Sequence, residues 1–303
     1  MKPKRYWSQS TLAGGCNKAI SYVQSGFRPR QEDNFLTAGS ALHLYDALRN
    51  QGVDEDTASF RAMGMMNQAH VKPTIPWLTA GYVSNMCEAW EADRSSRNPV
   101  ISKPNGEACV EFSLAYPIRE TEDFIDIGTG TLDGLERLPT DFIAVRDIKT
   151  SMKWEIDLRQ YERSAQFLHY PWLMRELALA KPDSWFAREV YHALRCINIY
   201  SVRMLKAGVS FNQHCFNINW QLVSEYGDLL KRFVENFVPG LPTGLVTGSC
   251  MSGKDYVCNF FDICHTNRTE NYEQVEYNPI LRHRGSRVKG QGTSEDAGFQ
   301  PGI

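Results

Sequence analysis

The stretch "VRDIKTS" at residues 145 to 151 sets an aspartate and a lysine two apart at the end of a run that is otherwise apolar up to that point, with Arg146 as the exception. Strand side chains alternate faces, so Asp147 and Lys149 share one face, about 6 to 7 Å apart along the chain. Upstream, "GTLDG" places Asp133 in the preceding strand, where a hairpin would bring it beside Asp147, and Glu111 comes from the strand before that. Three carboxylates at one sheet edge repel in the absence of a cation, because like charges within about 4 to 6 Å raise each other's pKa. A hard divalent metal with oxygen ligands resolves the repulsion, and Mg2+ held through a few carboxylates with retained waters is the usual form. Such a centre suits phosphodiester hydrolysis, with the cation polarising the phosphoryl oxygen and activating water while the ammonium stabilises developing charge. On its own the Asp147 and Lys149 pair reads first as the solvated end of an edge strand, an ion pair worth little, and only then as chemistry.

The elements that must carry these groups follow from periodicity. Residues 37 to 50 have Ala41, Leu44, Tyr45 and Leu48 at helical spacing, which puts His43 on a helix that Gly52 can stop. Helical stretches follow near 55 to 70 and 77 to 92. The period then changes. In "CVEFSLAYPI", Val110, Phe112, Leu114, Tyr116 and Ile118 occupy one face of a strand, with Glu111, Ser113 and Ala115 on the other. "DFIDIGTGTLDGL" and "DFIAVRDIKTS" read as the next two strands, joined by the hairpin signal "ERLPT". A helix is expected over 159 to 180, kinked or cut in its first half by Pro171. Strand-like runs at 189 to 200 and 209 to 218 precede a helix at 219 to 236.

With 303 residues, 42% hydrophobic and 22% charged, the chain has an ordinary globular composition. No run approaches the roughly 18 apolar residues of a membrane span. "MKPKRYWSQS" has no apolar stretch behind its basic residues, so no secretory signal is expected and a reducing cytoplasm is the expected compartment. The formal net charge of -2 means that a polyanionic partner would be held by a local patch or by metal ions. Eight cysteines in such a chain are expected as thiols or metal ligands rather than disulfides. The residues from about 285 to 303, rich in Gly, Ser and charge, are expected to be a disordered tail.

"GTLDG", a hairpin, "VRDIKTS" and then "QFLHY" resemble the core of the PD-(D/E)XK nuclease superfamily, in its RecB-like branch. That branch pairs a G-x-x-D strand with a D-x-K strand and a Q-x-x-x-Y helix. Gln166 and Tyr170 stand one helical turn apart and face the same way. "STLAGGCNKA" with Cys16, and "GSALH" with Gly39 and His43, match the branch's Ser- and Cys-containing segment and its G-x-x-x-H helix.

The resemblance implies a restriction-endonuclease-like α/β core with a mixed central sheet flanked by helices, and a metal-dependent DNA nuclease using Mg2+ or Mn2+. An exonuclease of recombination, repair or phage DNA processing is the expected form, with DNA as partner and recombination or replication proteins beside it. It implies Asp133 and Asp147 as principal metal ligands, Glu111 in the outer carboxylate position, and His43 as an additional ligand. Glu88 and Glu91 compete with Glu111 for its role. Lys149 would orient and activate the attacking water, while Gln166 and Tyr170 would brace the site or touch the DNA backbone. A subset of the branch holds a 4Fe-4S cluster, which implies Cys16, Cys250, Cys258 and Cys264 as its ligands. The gap between Cys250 and Cys258 departs from the subset's usual C-x-x-C, and a structural zinc would accept the same thiolates. Cys87, Cys109, Cys196 and Cys215 are expected as ordinary buried thiols.

The implied organisation is a single nuclease domain over 1 to 280, with a helical section at 11 to 95, a catalytic core at 108 to 180 and a cysteine-rich segment at 245 to 268. The rival reading is a non-catalytic DNA-binding or assembly protein that retains the fold.

Overall fold

A computed structural model describes residues 2–8, 24–25, 27–29, 32–68, 70–152, 161–162, 164–237 and 272–274. In chain order these form β1 (Lys4–Ser8), β2 (Phe27–Pro29), β3 (Glu32–Asp33), α1 (Asn34–Asn50), α2 (Glu55–Met66), β4 (Val71–Lys72) and α3 (Ala80–Ala92). There follow β5 (Val110–Glu120), β6 (Ile125–Arg137), β7 (Ile143–Ser151), α4 (Ala165–Ala180), β8 (Leu194–Leu205), β9 (Gly208–Asn217), α5 (Trp220–Glu235) and β10 (Tyr272–Gln274). The cysteine-rich segment, the tail beyond 285 and most of the stretch around Cys16 lie outside the described residues.

Six strands make one mixed sheet. Strand β6 is its longest member, antiparallel to β5 on one side, while its other side pairs first with β1, in parallel, and then with β7, antiparallel. Strand β8 runs parallel to β7, and β9 closes the sheet antiparallel to β8. Helices cover both faces. Ile148, Tyr200 and Val202 pack with Leu42, Tyr45, Val83 and Trp90 of α1 and α3. Leu132, Leu135, Val145, Ile197 and Ile199 pack with Phe167, Trp172, Leu173, Val223 and Leu230 of α4 and α5. Alternate residues of β7 and β8 thus enter opposite cores, which is why these strands read as continuous apolar runs. The architecture is the mixed α/β one expected, a central mixed sheet flanked by helices, compatible with a restriction-endonuclease-like core. No helix among the described residues is long and apolar enough to cross a membrane.

Three local expectations change. Strand β7 pairs with β6 over Ile143–Arg146 and with β8 along its length, and Asp147, just past the two-sided part, is 1% exposed, so the Asp147 and Lys149 pair is not the solvated end of an edge strand. Helix α4 begins at Ala165 and continues through Pro171 to Ala180. Proline inside a helix costs about 3 kcal/mol, and the buried Phe167, Tyr170, Trp172, Leu173 and Met174 around it supply more than that through their packing. The run expected as a strand from 189 opens instead with a short helical turn at Phe186–Tyr191, and β8 starts only at Leu194.

Strand β1 had no signal in the sequence beyond five residues of mixed polarity. It is held by Asp126 of β6, which accepts from Arg5 Nε and Nη2 at 2.7 and 2.8 Å and from the indole of buried Trp7 at 2.8 Å.

Helices α4 and α5 touch where Gly227 meets Trp172. A side chain at Gly227 would run into Trp172 Cδ1 and Nε1, and Trp172 is fully buried, with no room to retreat. Helix propensity favours alanine by about 1 kcal/mol, but overpacking costs typically 1–3 kcal/mol. Gly227→Ala is therefore expected to lower the urea midpoint. An unchanged or raised midpoint would show that the helices separate freely.

His169 of α4 sits in the same core. Its Nε2–H donates to the Thr129 carbonyl at 2.9 Å, which leaves Nδ1 to accept from the Tyr226 hydroxyl at 2.9 Å. Burial pushes its pKa down from 6.5 to about 4. Because the folded pKa lies below the unfolded one, this contribution to stability is complete above pH 6.5 and is lost as pH falls toward 4. The shift corresponds to about 3 kcal/mol at most. His169→Phe protein should show a flatter stability profile between pH 6.5 and 4, measured by urea unfolding. A profile parallel to that of the wild type would remove His169 from the acid response.

Candidate metal centre

Helix α1 presents His43 to the sheet. Gly39, one turn earlier, faces the end of β7, where an added Cβ would stand 2.7 Å from Thr150 Oγ1. A bare backbone at this position lets the helix approach closely enough for His43 Nδ1 to lie 3.1 Å from Asp133 Oδ1. Asp133 is fixed in turn by the Ile148 amide, which donates to Oδ2 at 2.6 Å. Glu111, at the start of β5, has φ 45°, a left-handed backbone that costs a non-glycine residue of order 1–3 kcal/mol and recurs at functional sites. Ligand-type atoms of His43, Glu111 and Asp133 all lie within 4.8 Å of one another. Three elements thus deliver one nitrogen and two carboxylates to one point.

Asp147 stands beside this group rather than within it. Its Oδ2 pairs with Lys149 Nζ at 2.8 Å, and its Oδ1 accepts from Gln166 Nε2 at 2.9 Å. Gln166 also donates to the Tyr170 hydroxyl at 3.0 Å, so the pair on α4 faces the site as its spacing implied. Glu91 is engaged by Arg49 and Arg94, and Glu88 lies near Ser84, so neither competes with Glu111 at the cluster. Cys16, Cys250, Cys258 and Cys264 lie outside the described residues. Of the other thiols, Cys87, Cys109 and Cys196 are buried as expected, but Cys215 is exposed because β9 forms the sheet's edge.

The charges are strongly interdependent. Burial by itself would lower His43, but the adjoining Asp133 carboxylate, with Glu111, carries it up to about 9. Burial opposes the charge on Asp133 as well, yet His43 and Lys149 hold its carboxyl below the usual range. For Glu111, burial reinforced by Asp133 raises the carboxyl to about 8. Burial likewise raises Asp147, with Lys149 pulling the other way. Lys149 is desolvated too, but Asp147 and Asp133 outweigh this and keep it charged. The cluster therefore holds protons that a divalent cation would replace. Two carboxylates and one imidazole suit such an ion, with the imidazole favouring a softer member of the Mg2+ and Mn2+ pair. His43, Asp133 and Lys149 side chains remain 26%, 16% and 24% exposed, so the group is reachable from solvent.

One buried network around Arg146 was legible only as an anomaly, a charge among the apolar residues of β7. Arg146 Nη2 donates to Asp46 Oδ1 at 2.7 Å, and the Trp90 indole donates to the same oxygen at 2.8 Å. Arg146 Nε lies 4.0 Å from Glu136, which accepts from Asn98, Tyr200 and Asn198. Asp46 is three residues beyond His43, so this pair sets how α1 lies on the sheet.

No family model and no curated protein matches the chain. Among solved structures, a candidate exonuclease from Eubacterium rectale is similar at 12% identity and a TM-score of 0.42, over 96% of this chain and 91% of that one. The protein SSO0001 is similar at 10% identity and a TM-score of 0.32, over 79% of this chain and 88% of that one.

Proposed function

We propose that this protein is a metal-dependent DNA nuclease of the PD-(D/E)XK type, RecB-like branch. The observation that carries the reading is the convergence of His43, Glu111 and Asp133 beside the Asp147 and Lys149 pair. Glu111, Asp133 and His43 would hold the cation, with Asp147 as the adjoining carboxylate. The cation would supply Lewis-acid polarisation of the phosphoryl oxygen.

The chain's own groups do the rest. Lys149 Nζ, tethered by Asp147 Oδ2, places a fixed positive charge where negative charge builds up on the phosphate as water adds and the P–O bond to the leaving group breaks. Lys149 also orients the attacking water. Gln166 keeps Asp147 from turning away, and Tyr170 keeps Gln166 in place. These groups sit in a packed site, where their positions need no reorganisation during the reaction.

The test uses end-labelled linear DNA and covalently closed circles, with Mg2+, Mn2+ or EDTA. Cleavage that requires metal supports the nuclease reading, and attack on linear DNA alone specifies an exonuclease. Calorimetric Mn2+ binding that disappears in Asp133→Ala and weakens in His43→Ala would support the ligand set. A protein that binds DNA but cuts neither substrate under any metal would instead be the non-catalytic rival.

We further infer, from the resemblance to the cluster-bearing subset of that branch, that Cys16, Cys250, Cys258 and Cys264 ligate a 4Fe-4S cluster, with structural zinc as the competing occupant. Iron and acid-labile sulfide in protein purified without oxygen distinguish the two. The reading extends to one nuclease domain over residues 1 to 280, acting in the cytoplasm on DNA under recombination, repair or processing.

A further inference from the structure

A cavity of about 360 Å3 lies against α1, one turn past His43, and is of the size that holds ligands. Asp46 on its wall is roughly 5 Å along the helix axis from His43, and Ala108, also on its wall, is three residues ahead of Glu111. Its lining contains Arg49, Arg94, Arg97 and Arg146 against two carboxylates, Asp46 and Glu91.

Three of these arginines already have partners. Arg49 Nη2 and Arg94 Nη1 share one oxygen of Glu91, at 2.8 and 2.9 Å, and Arg146 is bound to Asp46. Arg97 differs. Its side chain is only 5% exposed, and its guanidinium lies 3.8 Å over the Trp90 ring. Its Nη1 makes no hydrogen bond, and the Asp93 carboxylate stands 3.5 Å away. A guanidinium held flat on an aromatic face, with only a long contact to its carboxylate, is fixed at the cavity wall and can exchange Asp93 for an oxyanion with little movement.

We propose that this cavity is a phosphate-binding site, taking a phosphate of the strand whose scissile bond lies at His43, Glu111 and Asp133. The identity of the strand rests on the nuclease reading above. The binding chemistry rests on the arginines alone. The site would hold the substrate next to the reacting phosphate and so fix its register.

Binding is measured without metal, in EDTA, so that no cleavage is read. The probes are matched duplex oligonucleotides ending in phosphate or in hydroxyl, with inorganic phosphate as competitor. Arg97→Gln is expected to weaken binding about 10- to 100-fold and to lower the slope of log affinity against log salt by about one. Arg97 also packs on Trp90, so Arg94→Gln, whose side chain is 42% exposed, provides a second variant that should fold normally and lose about 10-fold or less.

A preference for phosphate ends that vanishes in Arg97→Gln assigns the site to a terminal phosphate. Equal loss on both ends assigns it to an internal diester. Unchanged affinity and salt slope in both variants, each with wild-type thermal stability, would overturn the proposal. Cleavage-competent protein with that result sinks the phosphate site alone, whereas arginine-dependent binding by a protein that never cuts sinks the nuclease reading alone.

Discussion

Lys149→Ala protein is expected to cut DNA about 100- to 1000-fold more slowly than the wild type in Mn2+ or Mg2+, while keeping its fold and its affinity for DNA. The ammonium sits 2.8 Å from Asp147 and 5.5 Å above the Phe167 ring, at the junction of β7 and α4. Its charge acts where charge develops in the transition state, so its loss should appear in kcat rather than in substrate binding. Lys149→Met retains most of the aliphatic stem and should be equally slow, which separates the loss of charge from a loss of packing. Single-turnover cleavage rates on linear DNA decide the matter. A rate within tenfold of wild type in both variants would remove Lys149 from the reaction.

The second large effect concerns stability. Arg146→Met is expected to cost about 3–5 kcal/mol, since removing one partner of a buried ion pair leaves the other uncompensated. Asp46 would lose its 2.7 Å partner and Glu136 its nearby cation, both deep between α1 and the sheet. Asp46→Asn combined with Arg146→Met should recover much of this loss, because the amide still accepts from Trp90 and no unpaired charge remains at that position. Urea unfolding of the two single variants and the double variant measures the coupling. Simple additivity of the two losses would show that the pair does not act as a unit. Arg146→Met should also weaken Mn2+ binding, because His43 rides on the helix that Asp46 anchors.

The sequence was informative wherever a pattern was local. The period of two over 110 to 118 and the helical spacing over 37 to 50 appear in the structure as β5 and α1. Asp147 and Lys149, two apart on one strand, do pair, and Gln166 and Tyr170, one turn apart on one helix, do bond. Such relations follow from backbone geometry and need no knowledge of the rest of the chain. A resemblance built on their order was enough to bring His43, Glu111 and Asp133 into one list.

Tertiary packing decided what that list could not. Both faces of β7 and β8 are buried, so alternation there says nothing of which core a side chain enters, and Arg146 could be read only as an exception. Its partner Asp46 lies 100 residues away, and Asp126 finds Arg5 across 121. Neither pairing leaves a periodic trace, because each is chosen by which surfaces meet after the elements form. The left-handed backbone of Glu111 is likewise strain imposed by its surroundings, since nothing in "CVEFSL" favours φ 45°. Packing also carried α4 through Pro171 and placed Cys215 on an exposed edge. That His43, Glu111 and Asp133 bring ligand atoms within 4.8 Å of one another is likewise a product of how α1, β5 and β6 meet, which no local pattern specifies.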